Sequence, residues 1–300
     1  MTTQRLSFTP HLLDERSGQQ GPVHRSSCGF GIPFHCEGFS LKGSSRAINE
    51  DQYGSIRLIF SFSVSNREAL FLTVADGLGG EAAGEHASRI AIDSMSQFLK
   101  LSSDRGSTEE PEGLLKSAMI QAHLNIVAEG KCRPGYTGMG TTLTAALVLW
   151  PRAYVVHAGD SRGYRLRNGR LTRLTIDHTV EQQLRMKGLV FPGASHSSRY
   201  RHILWNHLGG LDRFPVAEVT STPLESGDAL LLVTDGVTDL LTDQDLADVA
   251  SRCGSAESVS RKLVLAARDS GTRDDATALF VQFGRPSVPQ DGLRLNDHGD

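Results

Sequence analysis

Cysteine is scarce in this sequence. Only four of its 300 residues are cysteine, and none of them forms a CxxC pair. This spacing argues against a zinc ribbon or a thioredoxin-like redox site. A disulfide framework is equally unexpected in a chain of this length with so few thiols. Long hydrophobic runs are missing too, since no segment approaches the ~18 apolar residues that a membrane helix needs.

Neither sign of charge is in strong excess. The chain has 31 lysines and arginines against 34 aspartates and glutamates, which gives a formal net charge of −3. This balance argues against non-specific attraction to nucleic acid or to an anionic membrane. The segment Met1–Arg25 also lacks the apolar stretch of a secretory signal. We therefore expect a cytoplasmic protein that binds neither nucleic acid nor membrane.

Composition divides the chain into three parts. Residues 1–36 mix serine, glycine, glutamine, proline and charges without periodicity, which predicts a mobile N-terminal extension. Residues 285–300 have the same character and predict a flexible C-terminal tail. No break in composition and no internal repeat separates the residues in between. Residues 37–284 are therefore expected to form one catalytic domain.

Apolar periodicity predicts an α+β fold for this domain. Helix-like patterns cover residues 81–100, 115–126, 239–250 and 258–267, and strand-like runs cover 53–59, 69–75, 142–150, 154–157, 164–167, 170–174, 229–233 and 276–283. Asn168-Gly169, between two of these runs, is the strongest short signal for a hairpin. Hairpin-linked strands and paired helices indicate two antiparallel sheets flanked by helix pairs, a four-layer α-β-β-α sandwich.

Carboxylates stand at the ends of the predicted strands. They are Glu50, Asp51, Asp76, Asp160, Asp235, Asp274 and Asp275. Any one of them has an ordinary explanation, because aspartate beside glycine is common in turns. If the strand ends converge, however, several anions share a small volume and repel each other unless protons or cations neutralise them. Oxygen ligands of this kind suit Mg²⁺ and Mn²⁺, so the whole set predicts a metal site.

The glycine-rich segment after Asp76 gives a weaker signal. Gly77-Leu78-Gly79-Gly80 opens a predicted helix, where backbone groups can approach an ion or a phosphate without a Cβ atom in between. The segment matches neither the GxGxxG dinucleotide motif nor the GxxxxGK[ST] phosphate loop. Both of these nucleotide-binding interpretations are therefore excluded.

Several segments between about residue 38 and residue 283 resemble, in order, the metal-dependent protein phosphatases. They are 46–51 (RAINED), 74–80 (VADGLGG) with 84–88, 138–142 (GMGTT), 159–162 (GDSR), 175–179 (TIDHT), 234–237 (TDGV) and 273–277 (RDDAT). This family is also called the protein phosphatase 2C family, and the short Gly-Leu-Gly-Gly form is similar to its bacterial branch. The resemblance implies the predicted fold and the hydrolysis of phosphoserine or phosphothreonine by a metal-activated water.

The resemblance also implies a role for each matching carboxylate. Asp76 corresponds to the residue that bridges two Mn²⁺ or Mg²⁺ ions, and Gly77 to the residue that contributes its backbone carbonyl. The remaining ligand positions correspond to Glu50 or Asp51, Asp235 and Asp274. Some of these residues are expected to act through water.

Two further assignments follow from the same resemblance. Asp160 corresponds to a residue that, together with the residue at Asp235, holds a third and weaker ion in bacterial relatives. Asp275 stands where relatives often carry asparagine. The ligand role therefore goes to its neighbour Asp274.

Arg46 corresponds to the arginine that grips the substrate phosphate, and its planar fork suits bidentate binding of phosphate. The implied catalytic residues are Arg46 and Asp76. A cysteine-based route is excluded, because it needs Cys-x5-Arg and no cysteine has an arginine six positions later. The implied partner is a phosphorylated protein in signal transduction, together with a serine/threonine kinase or its targets. The chain is expected to act as a monomer.

Some features depart from the family pattern. Glu81 stands where bacterial relatives often have histidine, a candidate proton donor to the leaving group. The segment 180–210 is divergent, and we interpret its His196, His202 and His207 as surface residues rather than as a metal site. Two other functions stay open: a catalytically inactive module that binds phosphoproteins, and a metallophosphoesterase that acts on small phosphoesters.

Overall fold

The computed structural model contains two antiparallel β-sheets that pack face to face. It describes residues 19–20, 24–25, 30–61, 66–79, 82–107, 109–189, 200–210, 213–252 and 256–284. The strands are β1 (Gln19–Gln20), β2 (His24–Arg25), β3 (Phe34–Leu41), β4 (Asp51–Ser61), β5 (Asn66–Leu78), β6 (Gly140–Thr141), β7 (Leu143–Leu149), β8 (Arg152–Ala158), β9 (Arg162–Arg167), β10 (Arg170–Arg173), β11 (Leu208–Gly209), β12 (Glu218–Pro223), β13 (Ala229–Val233) and β14 (Ala276–Phe283). The helices are α1 (Ala82–Asp104), α2 (Pro111–Cys132), α3 (Val180–Met186), α4 (Asp235–Thr238), α5 (Asp243–Arg252) and α6 (Ala256–Asp269), with a 3₁₀ turn at Pro134–Tyr136.

Each sheet contains strands from distant parts of the chain. The first has the order β1-β3-β14-β13-β9-β10, with β2 beside β3. The second has the order β11-β6-β5-β7-β8-β12, with β4 beside β5. The paired strands run antiparallel throughout. The arrangement brings the starts and ends of strands from both halves of the chain to one edge of the sandwich.

The central strands are buried on both faces. In β5, Leu70 and Leu72 contact the core between the two sheets, whereas Ala69 and Phe71 contact the core beneath the first helix pair. Side chains alternate between the two faces of a strand, so a strand with apolar layers on both sides is apolar at consecutive positions. This requirement explains the uninterrupted apolar run that predicted the strand.

Helix pairs complete the four layers. Helices α1 and α2 bury Met95 and Met119 against the second sheet. Helices α5 and α6 bury Leu246 and Leu263 against the first sheet. The predicted α-β-β-α sandwich of two antiparallel sheets is therefore confirmed. No helix among the described residues has the length and the apolar content to cross a membrane.

The predicted hairpin at Asn168-Gly169 is also present. Both residues have positive φ, 50° and 75°, as a two-residue turn of type I′ requires. Arg167 and Arg170 pair directly across it. Its tight turn keeps β9 and β10 in register at the edge of the first sheet.

The helix predicted over residues 239–250 is present as α5, but it begins later, at Asp243, and a separate short helix, α4, ends just before the predicted range. A capping box separates them. The Oγ1 atom of Thr242 accepts a hydrogen bond from the backbone N–H of Asp245, and an Oδ2 atom of Asp245 accepts one from the backbone N–H of Thr242. The sequence Thr-Asp-Gln-Asp contains this signal, which a search for apolar periodicity alone does not detect.

The first sheet begins earlier than the predicted domain boundary at residue 37. Strand β3 starts at Phe34, and Phe30, Phe34 and Cys36 are buried between the sheets. These buried residues are a few apolar side chains in a mostly polar segment, so the average composition of the segment does not reveal that it joins the core. Residues 1–18 of the predicted extension and the predicted tail at 285–300 lie outside the described residues.

Candidate metal centre

The pairing of β4 with β5 places two aspartates opposite each other. Asp51, the first residue of β4, is the cross-strand partner of Asp76. Asp76 does not end its strand as the apolar run predicted, because Gly77 and Leu78 continue β5 by pairing with β6. Asp76 is consequently held on a rigid part of the sheet and is 7% exposed.

The other predicted carboxylates converge on Asp76. Burial raises the pKa of Asp76 well above its ordinary value, and the neighbouring carboxylates raise it further. In order of effect they are Asp235, Asp51, Asp160 and Asp274. The same causes, burial first and then neighbouring carboxylates, raise the pKa of Asp235. Five aspartates from β4, β5, the turn after β8, α4 and the loop before β14 therefore share one electrostatic environment.

Within the part of the chain that the structure describes, two of these carboxylates have buried oxygens without hydrogen-bond partners. The Oδ2 atom of Asp51 accepts hydrogen bonds from the hydroxyls of Thr234 and Thr277, at 2.8 and 2.6 Å. Its Oδ1 atom has no partner among the described residues, and neither has Oδ1 of Asp235. A buried anionic oxygen without a partner is costly. An oxygen-seeking divalent cation fits such a set of donors.

The raised pKa values of Asp51 and Asp160 also indicate a site for a cation. Burial raises the pKa of Asp51 from 3.8 to about 7, although hydrogen bonds from Thr277 and Thr234 oppose the rise. Burial and the charge of Asp177 raise the pKa of Asp160 to about 7 as well. Without a cation, these carboxyl groups are therefore still partly protonated near neutral pH.

Arg46 lies at the open side of the cluster and joins two carboxylates. Its Nε atom donates to Oδ1 of Asp274 at 2.7 Å, and its Nη1 atom donates to Oε2 of Glu50 at 2.9 Å. The side chains of Arg46 and Asp274 are 31% and 38% exposed, whereas that of Glu50 is 2% exposed. The predicted phosphate-binding arginine therefore borders the carboxylate cluster and remains accessible to solvent.

Asp275 has a different environment from Asp274. Its two carboxylate oxygens accept hydrogen bonds of 2.7 Å from the backbone N–H groups of Gly43 and Glu50. These bonds hold the loop that carries Arg46 against the start of β14. With both oxygens used in this way, Asp275 positions the loop, and the ligand role of Asp274 stays a prediction.

Two glycines allow the backbone to close around the site. A Cβ atom on Gly77 would lie 2.2 Å from the carbonyl oxygen of Gly84, in the first turn of α1. A Cβ atom on Gly236 would lie 1.9 Å from the carbonyl oxygen of Asp275. Glycine is therefore required at both positions, one beside Asp76 and the other beside Asp235.

A cavity of about 560 Å³ adjoins the cluster on the side of Asp160 and Asp235. Asp177 lines it and is held by Arg162, whose Nη2 atom donates to Oδ2 at 2.8 Å, and by Arg173. His202 also lines the cavity, and one donor atom each from His202, Asp160 and Asp235 lies within 4.8 Å of the others. The interpretation of His202 as an ordinary surface residue missed this proximity, which no local sequence pattern signals.

Glu81 and His196, two residues that the sequence singled out, lie outside the described residues. His207 is described, but it lies beside Gly210 in a different cavity from Asp160 and Asp235.

Comparison with known proteins gives consistent matches. Residues 44–266 match the profile of the family described as Protein phosphatase 2C. The chain is 35% identical over 247 residues to the serine/threonine protein phosphatase PstP of Mycobacterium tuberculosis, a match that covers 81% of this chain and 43% of PstP. It is 29% identical over 248 residues to the serine/threonine phosphatase stp of Listeria welshimeri, which covers 83% of this chain and 95% of that protein.

A solved structure shows the same fold. The crystal structure of the catalytic domain of PstP in complex with two manganese ions superposes with a TM-score of 0.68 at 30% sequence identity. The match covers 84% of this chain and 98% of the PstP domain. The chain thus spans nearly the whole of that domain but less than half of the full PstP sequence.

Proposed function

The chain belongs to the protein phosphatase 2C family, and we propose that it is a metal-dependent protein serine/threonine phosphatase. The observation that carries this proposal is the set of carboxylates around Asp76, with buried oxygens of Asp51 and Asp235 that lack hydrogen-bond partners among the described residues. A structural role does not require such a repulsive arrangement. A pair of divalent cations, in contrast, needs several closely spaced carboxylates as ligands.

We propose that two Mn²⁺ or Mg²⁺ ions are the cofactors. The ligands are proposed to be the side chains of Asp51, Asp76, Asp235 and Asp274 with the backbone carbonyl of Gly77. Glu50, whose carboxylate contacts Arg46, is proposed to act through water. When bound, the ions activate a water molecule for attack on phosphorus and neutralise charge on the phosphate oxygens.

The protein's own groups prepare the site for this reaction. The hydroxyls of Thr234 and Thr277 fix one oxygen of Asp51, and its other oxygen is buried without a hydrogen-bond partner among the described residues. Arg46 presents a planar guanidinium next to Asp274, where it can bind two oxygens of a phosphate group. A donor held in this position stabilises the negative charge that spreads over the equatorial oxygens in the transition state.

The proposed substrate is a phosphorylated protein. PstP and stp are named serine/threonine phosphatases, and their sequences match this chain over 81% and 83% of its length. A serine/threonine kinase, or the proteins that such a kinase phosphorylates, is the proposed class of partner in signal transduction. We propose that the chain acts as a monomer in the cytoplasm.

Release of phosphate from a phosphothreonine peptide tests this function. We expect turnover with Mn²⁺, none after complete chelation, and recovery when Mn²⁺ is restored. Alkylation of the cysteines should leave the rate unchanged, because no thiol takes part. Turnover that persists under complete chelation would contradict the proposed mechanism.

The same assay separates the two alternative functions. A catalytically inactive module would bind the phosphopeptide in the presence of Mn²⁺ without releasing phosphate. An enzyme for small phosphoesters would hydrolyse p-nitrophenyl phosphate or a nucleotide with a much higher kcat/KM than the phosphopeptide. The proposed function requires the phosphopeptide to be the better substrate.

A further inference from the structure

Asp160, Asp235 and His202 form a group beside the proposed metal pair. One donor atom from each of the three lies within 4.8 Å of the other two. Ligands bound to one ion at about 2.0–2.2 Å stand roughly 3–4 Å apart. Because the side chain of His202 is 59% exposed, a small rotation of its ring can close the remaining distance.

Both aspartates line the cavity. Asp160 is 9% exposed and lines the cavity, and no side chain among the described residues donates a hydrogen bond to its carboxylate. Asp235 has a buried Oδ1 atom that also lacks a partner there. Two such carboxylates facing one space require a proton or a cation between them.

A third carboxylate, that of Asp239, lies close to the histidine. The Nδ1 atom of His202 is 3.9 Å from Oδ2 of Asp235, and its Nε2 atom is 3.8 Å from Oδ2 of Asp239. Asp239 in turn accepts a hydrogen bond of 2.7 Å from Nη2 of Arg201. Metal-bound histidines commonly donate the second ring N–H to a carboxylate, which fixes the tautomer and the ring orientation. Arg201, Asp239 and His202 are placed for a chain of this kind, which a shortening of the 3.8 Å distance between His202 and Asp239 would complete.

We propose that His202 supplies a nitrogen ligand to a divalent transition-metal ion held by Asp160 and Asp235, and that Asp239 positions its ring. The family resemblance implies a third ion at the two aspartates. The proposed ligand role of His202 rests only on its position in this structure. Imidazole suits nickel, zinc and copper, whereas carboxylate, carbonyl and water suit magnesium and manganese. The site therefore selects a Ni²⁺-like or Zn²⁺-like ion from an excess of Mg²⁺.

Equilibrium dialysis of Ni²⁺ against tag-free full-length protein in excess Mg²⁺ tests this proposal. We expect the wild-type protein to retain Ni²⁺ in excess Mg²⁺, including one ion whose binding depends on His202. In His202→Ala the affinity for Ni²⁺ should fall by at least about 10-fold, and in Asp239→Asn by a smaller factor, since removing an orienting partner typically weakens metal binding. His207→Ala is the matched control from the same segment and should bind Ni²⁺ like the wild type.

A second variant separates loss of the ligand from general damage. His202→Asn replaces the imidazole nitrogen by an amide oxygen without adding a charge, so it should lose the preference for Ni²⁺ while its melting temperature without metal stays close to that of the wild type. Unchanged Ni²⁺ affinity in His202→Ala, or no Mg²⁺-resistant Ni²⁺ in the wild type, would overturn the proposal. Because binding is measured without turnover, a protein inactive on phosphopeptides but sensitive at His202 would refute the proposed function and support this site.

Discussion

Asp51 and Asp76 are direct cross-strand partners at the edge of the second sheet. Like charges opposite each other destabilise a β-sheet pair. Burial makes the charged forms of both carboxyl groups still less favourable, and the pKa of each is raised as a result. The fold thus maintains a repulsion that protons relieve at low pH and that bound cations relieve at neutral pH. The first two predictions follow from this relationship.

Asp76→Asn should have opposite effects on activity and on metal-free stability. The side chain keeps its shape but loses a charge that Asp235, Asp51 and Asp160 repel. Turnover of a phosphopeptide with Mn²⁺ should fall at least about 100-fold. In chelator, the melting temperature should rise by about 2–4 °C for each kcal/mol of repulsion removed.

The control for this substitution is Asp248→Asn, which removes a carboxylate that pairs with Arg252 on the exposed side of α5. Its activity and melting temperature should stay close to the wild-type values. An Asp76→Asn variant that is destabilised in chelator would show that the carboxylates do not repel each other as described.

Stabilisation by Mn²⁺ should increase with pH. The carboxyl pKa of Asp51 is 3.8 when unperturbed and about 7 in the folded protein, and that of Asp160 is also raised to about 7. The folded state therefore binds these protons more tightly than the unfolded state, and their stabilising contribution is lost as pH rises from about 4 to about 7. The Mn²⁺-induced rise in melting temperature should be small near pH 5 and large near pH 8.

The corresponding control is Asp51→Asn, in which the dependence on pH should become weaker. A shift in melting temperature that is the same at both pH values in the wild type would contradict the raised pKa values.

Arg46→Ala should weaken the binding of substrate more than the chemical step. The guanidinium borders the cluster through Asp274 and Glu50 and offers charged hydrogen bonds to a phosphate. Loss of such bonds raises KM for a phosphopeptide by about 10- to 100-fold. Steady-state kinetics measures this change, and Arg57→Ala, which removes the Arg57–Glu68 pair elsewhere on β4, is the control. Unchanged kcat and KM in Arg46→Ala would remove Arg46 from the site.

Gly77→Ala should disturb the site through the backbone. The added Cβ atom would lie 2.2 Å from the carbonyl oxygen of Gly84, so the first turn of α1 must move away from β5. Such overpacking typically costs about 1–3 kcal/mol, and Mn²⁺ should stabilise the variant less than the wild type. Calorimetry with and without Mn²⁺ measures both effects.

The comparison variant is Gly135→Ala, where no atom lies within 4 Å of the added Cβ. Its free energy of unfolding should change by less than about 1 kcal/mol. Equal effects at the two glycines would mean that the close approach at Gly77 does not hold the site together.

The sequence by itself determined the elements and the chemical type of the site. Apolar runs bounded by turn residues predicted the central strands, since a strand buried on both faces must be apolar at consecutive positions. Aspartates at the ends of those runs, such as Asp76 and Asp235, predicted a site for hard cations. These signals are local, so they can be identified without knowing which strands are neighbours.

Only the tertiary structure decided how the side chains are combined. The pairing of β4 with β5 sets Asp51 rather than Glu50 opposite Asp76, and the hydrogen bonds from Gly43 and Glu50 occupy the carboxylate of Asp275. The packing of the segment that carries His202 against α4 brings its imidazole to Asp235. These relationships join residues far apart in the chain, and the physical reason that the sequence cannot specify them locally is that strand register and layer packing depend on the whole fold.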